Sequence, residues 1–268
     1  NNKTVIVRKA VERRDEASLL ENTINQLDAE DCLRHINGRL YGNDYEERLF
    51  NVAMELCITW MNRILFLKLL EAQMLKYHNG DAIYKFLSIT KIHDYDDLNT
   101  LFFQVLARDM GSRTHSIMRD FAYVPYLNSS LFEVTDLESK TIKINSLSQR
   151  TVLPVLASSV LRNKKRNLQV NALPTLQYLF AFLDAYNFAS EGSEEVQEEA
   201  KTLINASVLG LIFEKINGHK DGSVFTPGFI TMFMCREAIT KTVLQKFNGY
   251  YGSNYSSHSN LVPNKLVC

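Results

Sequence analysis

The sequence lacks the features that define several protein classes. Its four cysteines, Cys32, Cys57, Cys235 and Cys268, lie far apart and form no C-x-x-C pair. That spacing argues against a disulfide framework or a zinc site and favours a reduced, cytoplasmic setting. The six histidines, at positions 35, 78, 93, 115, 219 and 258, form no H-x-x-x-H or H-x-x-E-H pattern, so we predict no metal site.

An excess of one charge and long apolar runs are also missing. Thirty basic residues balance thirty acidic ones, so DNA binding would have to depend on local patches or on other parts of a larger protein. The longest apolar stretch, residues 61–70, is interrupted by Asn62, Arg63 and Lys68. No run reaches the roughly eighteen residues that a membrane span needs, and no signal segment opens the chain. We therefore predict no membrane association.

Helical periodicity dominates the sequence that is present. Residues 14–37 and 45–76 carry apolar side chains at three- and four-residue steps, which predicts an amphipathic helix over the first range and one long helix, or two in succession, over the second. Similar patterns predict helices over 81–88, 147–163, 173–188 and 226–247. In the middle of the chain, "KTIKI" alternates strictly, so we predict a short strand or hairpin within 123–146. The fold class that follows is mainly α, a multi-helix domain with a small β insert at about 123–146.

The stretch "GSVFTPGFITMFMCREAI", residues 222–239, has a well-formed helix start. Thr226 suits the N-cap position, and Pro227 suits the first helical position, where its missing N–H costs nothing. Gly222 allows the preceding loop to turn tightly or a ligand to approach the backbone. Capping alone explains this pattern, but the free N–H groups of a helix start also suit an anionic ligand.

The sequence around this helix start, residues 209–227, resembles the segment that opens the methyltransferase module of gamma-class DNA N6-adenine methyltransferases. The resemblance is greatest to those in combined type II restriction-modification enzymes. The matching residues are Leu209, Gly210, Phe213, Glu214, Gly222, Ser223, Phe225, Thr226 and Pro227. A second block, "VPYLNSSLFE" at 124–133, is similar to the "PYLNGGLF" wording upstream of the catalytic domain in those enzymes. Asn128, Leu131 and Phe132 agree there, whereas Ser129 and Ser130 replace glycines. The resemblance covers roughly residues 45–248.

The resemblance implies a role in a pocket for S-adenosylmethionine, whose methyl group goes to N6 of an adenine flipped out of double-stranded DNA. It assigns Phe225, Thr226 and Pro227 to the edge of that pocket, with Gly222 shaping the loop. The family's glycine-rich Asp-Pro-x-x-Gly-Ser-Gly loop and its Asn/Asp-Pro-Pro-Tyr/Phe tetrapeptide do not occur in the sequence. We therefore predict no catalytic residue, no bound cofactor and no activity for this chain alone.

Two charged motifs allow other interpretations. Asp136, Glu138 and Lys140 are spaced like the magnesium centre of a PD-(D/E)xK nuclease, but such triplets are common and an exposed, charged strand start is the favoured interpretation. "RNKKRN", with Arg162, Lys164, Lys165 and Arg166, is a weak candidate for contact with DNA phosphates or, equally well, a solvated loop.

The chain divides by pattern into four parts. Residues 1–44 are a linker and helix, expected to follow a missing nuclease domain because the sequence begins without methionine in a short β-like run. Residues 45–220 form a helical connector, 221–248 the first element of a methyltransferase module, and 249–268 an irregular tail. The expected parent is a cytoplasmic restriction-modification protein that joins nuclease and methyltransferase modules, uses S-adenosylmethionine and Mg²⁺, and acts on double-stranded DNA. The alternative is a non-catalytic helical module that binds proteins.

Overall fold

Eight α-helices make up most of the chain that the computed structural model describes, namely residues 8–127, 129–162, 171–188, 203–204, 206–217 and 228–251. The predicted mainly α fold class is confirmed. The α-helices are α1 Leu19–Ala29, α2 Tyr45–Tyr77, α3 Tyr95–Thr100, α4 His115–Phe121, α5 Asp136–Lys140, α6 Thr175–Asp184, α7 Ala206–Asn217 and α8 Gly228–Tyr251.

Short helical turns and four short strands connect these helices. The 3-10 segments are Val11–Arg13, Cys32–His35, Gly38–Leu40, Ala82–Tyr84, Met110–Ser112, Ser130–Phe132, Ile144–Ser146 and Val160–Arg162, and α3 continues as a π-helix over Leu101–Leu106. Strands β1 Val152–Pro154 and β2 Ala172–Pro174 pair antiparallel, with Leu153 opposite Leu173. Strands β3 Asn187–Phe188 and β4 Leu203–Ile204 pair in parallel.

The long helix α2 organises the fold, as its apolar stripe predicts. Asp44 caps its start, since the side chain accepts a hydrogen bond of 2.8 Å from the Glu47 N–H. The helix ends where Asn79 and Gly80 take left-handed backbone angles, φ 53° and 81°. Its buried stripe forms the centre of the main core, which α1, α3, the π-helix and α6 complete. Members of that stripe include Leu49, Val52, Ala53, Leu56, Trp60, Ile64 and Leu67.

The small β element lies at 152–154 and 172–174, and the described residues of 123–146 contain no strand. A capping box starts α5 directly before the alternating residues: Thr135 Oγ1 accepts from the Glu138 N–H, and the Glu138 carboxylate accepts from the Thr135 N–H. Helix α5 therefore occupies residues 136–140, within the range 123–146 and just before the alternating residues that predict the strand. The alternation that follows is real, because Ile142 and Ile144 are buried and Lys143 is exposed. That segment packs its isoleucines into the core without a partner strand.

Three predicted helices are also shorter or absent. The 14–37 helix is limited to Leu19–Ala29, because Asp31 takes a left-handed conformation with φ 49°. Residues 81–88 form only the 3-10 turn Ala82–Tyr84. The described residues of 147–163 form β1 and a 3-10 turn rather than a helix, since proline at position 154 favours an extended residue before it.

The chain divides into two compact units, Asn1–His219 and Lys220–Cys268. The first unit contains the main core and a smaller cluster formed by Val155, Leu161, Leu173, Tyr178 and Ala185. Helix α7 belongs to this unit, and α8 is the described element of the second.

Candidate functional site

Most of the residues that the sequence proposes as a site lie outside the described part of the chain. These are Gly222, Phe225, Thr226, Pro227, Lys164, Lys165 and Arg166. Arg162 ends the 3-10 turn Val160–Arg162, and only its backbone is described. The helix predicted for 226–247 is described over Gly228–Tyr251, and the Thr-Pro pair itself lies outside the described residues.

Helix α8 carries an unusual number of exposed apolar side chains. Phe229 is 76% exposed, Met232 66% and Phe233 64%. We call these residues, together with Ile230, Met234, Ile239 and Val243, the α8 apolar surface. Between 229 and 234 the apolar side chains cover more than half of the helix circumference, and so wide an apolar face is typical of a helix inside a larger core. Large exposed apolar patches mark surfaces that another domain or protein covers.

A buried ion pair joins α2 to α5. Arg63, which is 0% exposed, donates to Glu138 Oε1 at 2.5 Å and to Glu138 Oε2 at 2.9 Å. Trp60 Nε1 donates to the same carboxylate at 2.8 Å. Burial by itself raises the pKa of Glu138, but the hydrogen bonds and positive charge of Arg63 outweigh it and hold the pKa below its ordinary value. The carboxylate is therefore ionised and fully paired inside the core.

Arg63 also fixes the block at 124–133. Its Nε donates to the Leu131 carbonyl at 2.7 Å and its Nη2 to the Glu133 carbonyl at 2.8 Å, while Phe132 is fully buried between them. Ser129 has an extended backbone with φ −140°, so this position does not require the glycine that the resembling family has. Asn128 lies outside the described residues. One side chain on α2 thus holds the backbone of the block in place.

A second charged cluster attaches α6 to α2. Lys68 Nζ lies 2.5 Å from Glu71 Oε1 and 2.6 Å from Asp184 Oδ1, and Lys85 reaches the other Asp184 oxygen at 2.7 Å. Glu71 also accepts from the Leu87 N–H at 2.6 Å. Burial alone lowers the pKa of Lys68, but the two carboxylates outweigh it and raise the pKa. Charges in this cluster are matched, and the cluster has the character of a structural clamp.

The geometry corrects both interpretations of the triplet Asp136, Glu138 and Lys140. These residues lie on helix α5, where Lys140 pairs with Asp136 at 2.7 Å and Glu138 points into the core toward Arg63. The triplet is therefore neither an exposed strand start nor a set of carboxylates converging on one magnesium ion. Among the described residues, no group of three or more His, Cys, Asp or Glu side chains is arranged to hold a metal ion.

Sequence reasoning missed the two charged clusters, although a signal for them exists. Arg63, Lys68 and Glu71 fall at helical spacing on the same face as Trp60, Ile64 and Leu67. A charged side chain inside an apolar stripe is costly unless it is paired, so such positions predict buried partners. The sequence cannot name those partners, because Glu138 and Asp184 lie 75 and 116 residues away from Arg63 and Lys68.

Comparison with known proteins gives one result. The family model described as "Domain of unknown function (DUF7814)" matches residues 1–204. No curated protein and no solved structure matches the chain. In the described part of the chain, no helix has the combination of length and hydropathy that crossing a membrane requires.

Proposed function

This chain belongs to the DUF7814 family, and we propose that it is the helical connector of a type II restriction-modification protein. In this proposal it leads into an S-adenosylmethionine-dependent module that methylates adenine N6 in double-stranded DNA, in a cytoplasmic protein that also carries a Mg²⁺-dependent nuclease. The connector has no chemistry of its own. It holds the helix that forms one edge of the cofactor pocket.

The observation that carries the proposal is the α8 apolar surface. A helix with apolar side chains over more than half of its circumference gains its stability from burial, and each fully buried Phe or Met contributes about 1.5–3 kcal/mol. The side chains of Phe229, Met232 and Phe233 are mostly exposed instead. A methyltransferase module built onto α8 supplies the missing cover.

A second support is the position of the segment, residues 209–227, that resembles the opening of the methyltransferase module. Its first half falls on α7, where Leu209 is buried and Phe213 packs partly against the main core. Its second half immediately precedes α8, after the division between the two units at His219 and Lys220. The resembling segment therefore spans the change from one compact unit to the next, as expected where a connector leads into another module.

The rigidity of the first unit is a third support. A connector must hold its modules at a fixed geometry, and buried, hydrogen-bonded ion pairs favour one specific arrangement of the elements they join. Arg63 and Lys68 form such pairs between α2 and two distant parts of the chain. The block at 124–133, which matches the family wording, is one of the parts held in this way.

The sequence of the gene beyond codon 268 tests the proposal. We expect a glycine-rich loop of the type Asp-Pro-x-x-Gly-Ser-Gly and an Asn-Pro-Pro-Tyr tetrapeptide, in that order. Residues 1–268 alone should transfer no methyl group from labelled S-adenosylmethionine to DNA. A stop codon without these motifs, or robust turnover by residues 1–268, would contradict the proposal. The first of these outcomes would favour a helical module that uses the α8 apolar surface to bind another protein.

A further inference from the structure

Four Asn-Gly pairs occur in the sequence, with asparagines at positions 37, 79, 217 and 248. In such a pair the asparagine side chain is prone to deamidation, because glycine has no side chain to keep the next backbone nitrogen away from it. Gly218 lies outside the described residues, and the pair at 248 lies within α8, where helical hydrogen bonds engage the backbone N–H groups. The other two pairs are exposed at Asn37 and Asn79, and the structure holds them differently.

The pair Asn79-Gly80 is fixed by the end of α2. The Gly80 N–H donates to the Leu75 carbonyl at 2.7 Å, and the Asn79 N–H donates to the Lys76 carbonyl at 3.3 Å. These two bonds form the usual cap of a helix C-terminus. The Gly80 nitrogen must break its hydrogen bond before it can lose its proton and attack the asparagine side chain. The cap therefore protects Asn79.

The pair Asn37-Gly38 has no such protection. Asn37 directly precedes the 3-10 turn Gly38–Leu40, and its side chain makes no capping hydrogen bond. In the part of the chain that the structure describes, the Gly38 N–H has no acceptor, although the Gly38 carbonyl accepts from the Tyr41 N–H at 3.0 Å. Both reacting groups, the Asn37 amide and the Gly38 nitrogen, are therefore free to meet.

A positive charge lies against the same glycine. A Cβ placed on Gly38 would lie 3.1 Å from Arg48 Cδ and 3.5 Å from its Nη1. Arg48 is held there because its Nε donates to the Gly42 carbonyl and its Nη2 to the Asn43 carbonyl, both at 3.0 Å. The neighbouring carboxylate of Glu47 faces Gly42 and accepts from the Asn43 N–H instead. A nearby cation favours the deprotonated form of a backbone amide, which is the form that attacks.

We propose that Asn37 is a site of spontaneous deamidation in the folded protein. Solvent base removes the Gly38 amide proton, the chain rotates about the Asn37 ψ angle of 88°, and the nitrogen attacks Asn37 Cγ. The Cγ–Nδ2 bond breaks, Nδ2 leaves as ammonia with a proton from water, and a succinimide ring remains. Water then opens the ring at either carbonyl and gives aspartate or isoaspartate. Both products add one negative charge to this turn, and the site is independent of the connector function proposed above.

Peptide mapping by mass spectrometry after incubation at pH 8 tests the site, with Asn79 as the control in the same molecule. The rate at each pair is measured in the folded protein and in urea, so that the ratio of the two rates corrects for the different flanking residues. We expect folding to slow Asn79 at least about fivefold more than Asn37, because only Gly80 must give up a hydrogen bond. Equal slowing at the two pairs, greater slowing at Asn37, or no deamidation of Asn37 in the folded protein would overturn the proposal.

Variants separate the contributions of the turn. Asn37→Gln should abolish most of the ammonia that the folded protein releases, whereas the matched control Asn79→Gln should leave that release nearly unchanged. Arg48→Met keeps much of the aliphatic stem without the charge and should slow deamidation of Asn37 in the folded protein but not in urea. Thermal unfolding checks that each variant folds. Unchanged ammonia release in folded Asn37→Gln would overturn the site, and an unchanged or faster rate in folded Arg48→Met would overturn the role of the charge.

Discussion

At the scale of single residues, Arg63 and Glu138 have the largest structural consequence. Removing one partner of a buried ion pair leaves the other charge without compensation and costs about 3–5 kcal/mol. Glu138→Gln should therefore lower the free energy of unfolding by about that amount, measured by urea denaturation. Asp136→Asn is the matched control on the same helix, because its exposed pair with Lys140 contributes at most about 1 kcal/mol. Equal effects of the two substitutions would contradict the assigned pairing.

The same pair makes stability depend on acid pH. The pKa of Glu138 is lower in the folded protein than its ordinary value of about 4.5, so its contribution is present above pH 4.5 and is lost as pH falls through the folded pKa. The difference in unfolding free energy between the native protein and Glu138→Gln should therefore be constant from pH 5 to 7 and shrink below pH 4.5. A difference that stays constant down to pH 3 would show that the carboxylate is not ionised in the fold.

The cysteines differ sharply in their expected reactivity. Burial raises the pKa of the Cys57 thiol to about 12, and burial also raises that of Cys32. Cys235 on α8 is exposed. In a Cys268→Ser background, a disulfide reagent at pH 8 should modify the Cys235 thiol rapidly. The thiols of Cys32 and Cys57 should react only after unfolding. Rapid modification of all three in the native protein would contradict the burial of Cys32 and Cys57.

At the scale of elements, the sequence predicts the long helices well and the short segments poorly. The apolar stripe of α2 continues through nine turns, so its prediction as 45–76 differs by one residue from Tyr45–Tyr77. The structure of residues 123–146 is harder to predict. The alternation of "KTIKI" correctly indicates which side chains are buried, but it does not show whether a partner strand is present. The capping box at Thr135–Glu138 decides only the short helix α5 that precedes the alternating residues.

The candidate site shows the same difference between local structure, which sequence patterns predict, and long-range contacts, which they do not. Local patterns identify the helix that follows Thr226 and Pro227, and α8 is described from Gly228 onward. They do not identify the Arg63–Glu138 or Lys68–Asp184 pairs, because these depend on contacts across 75 and 116 residues. Periodicity reports which face of a helix is buried, and only the folded chain shows which distant group meets it.

Exposure of the α8 apolar surface should be detectable in solution by the binding of a hydrophobic dye. Phe233→Glu replaces a side chain that is 64% exposed, so we expect reduced fluorescence of a hydrophobic dye such as ANS, without loss of the first unit's thermal transition. Thr242→Glu is the matched control, since it adds the same charge on an exposed part of α8 without removing apolar area. Unchanged dye binding in Phe233→Glu, or an equal decrease in Thr242→Glu, would contradict exposure of this surface.

At the scale of the whole molecule, the chain combines a well-packed first unit with a helix whose apolar residues are exposed. The first unit contains both described core clusters and both buried charge clusters. The second contributes α8, with its Thr-Pro sequence directly before it. This distribution is the physical basis of the proposed connector: one part maintains geometry, and the other presents a surface for a module to cover.

Protection of Cys235 tests the central claim most directly, because this thiol lies on α8 among the apolar residues that the proposed module covers. Its rate of modification is measured in residues 1–268 and in the protein produced from the complete natural gene, both with the other cysteines replaced by serine. We predict fast modification in residues 1–268 and modification at least about tenfold slower in the complete protein, since burial limits access to a thiol. Equal rates in the two proteins would show that nothing covers α8 and would contradict the account.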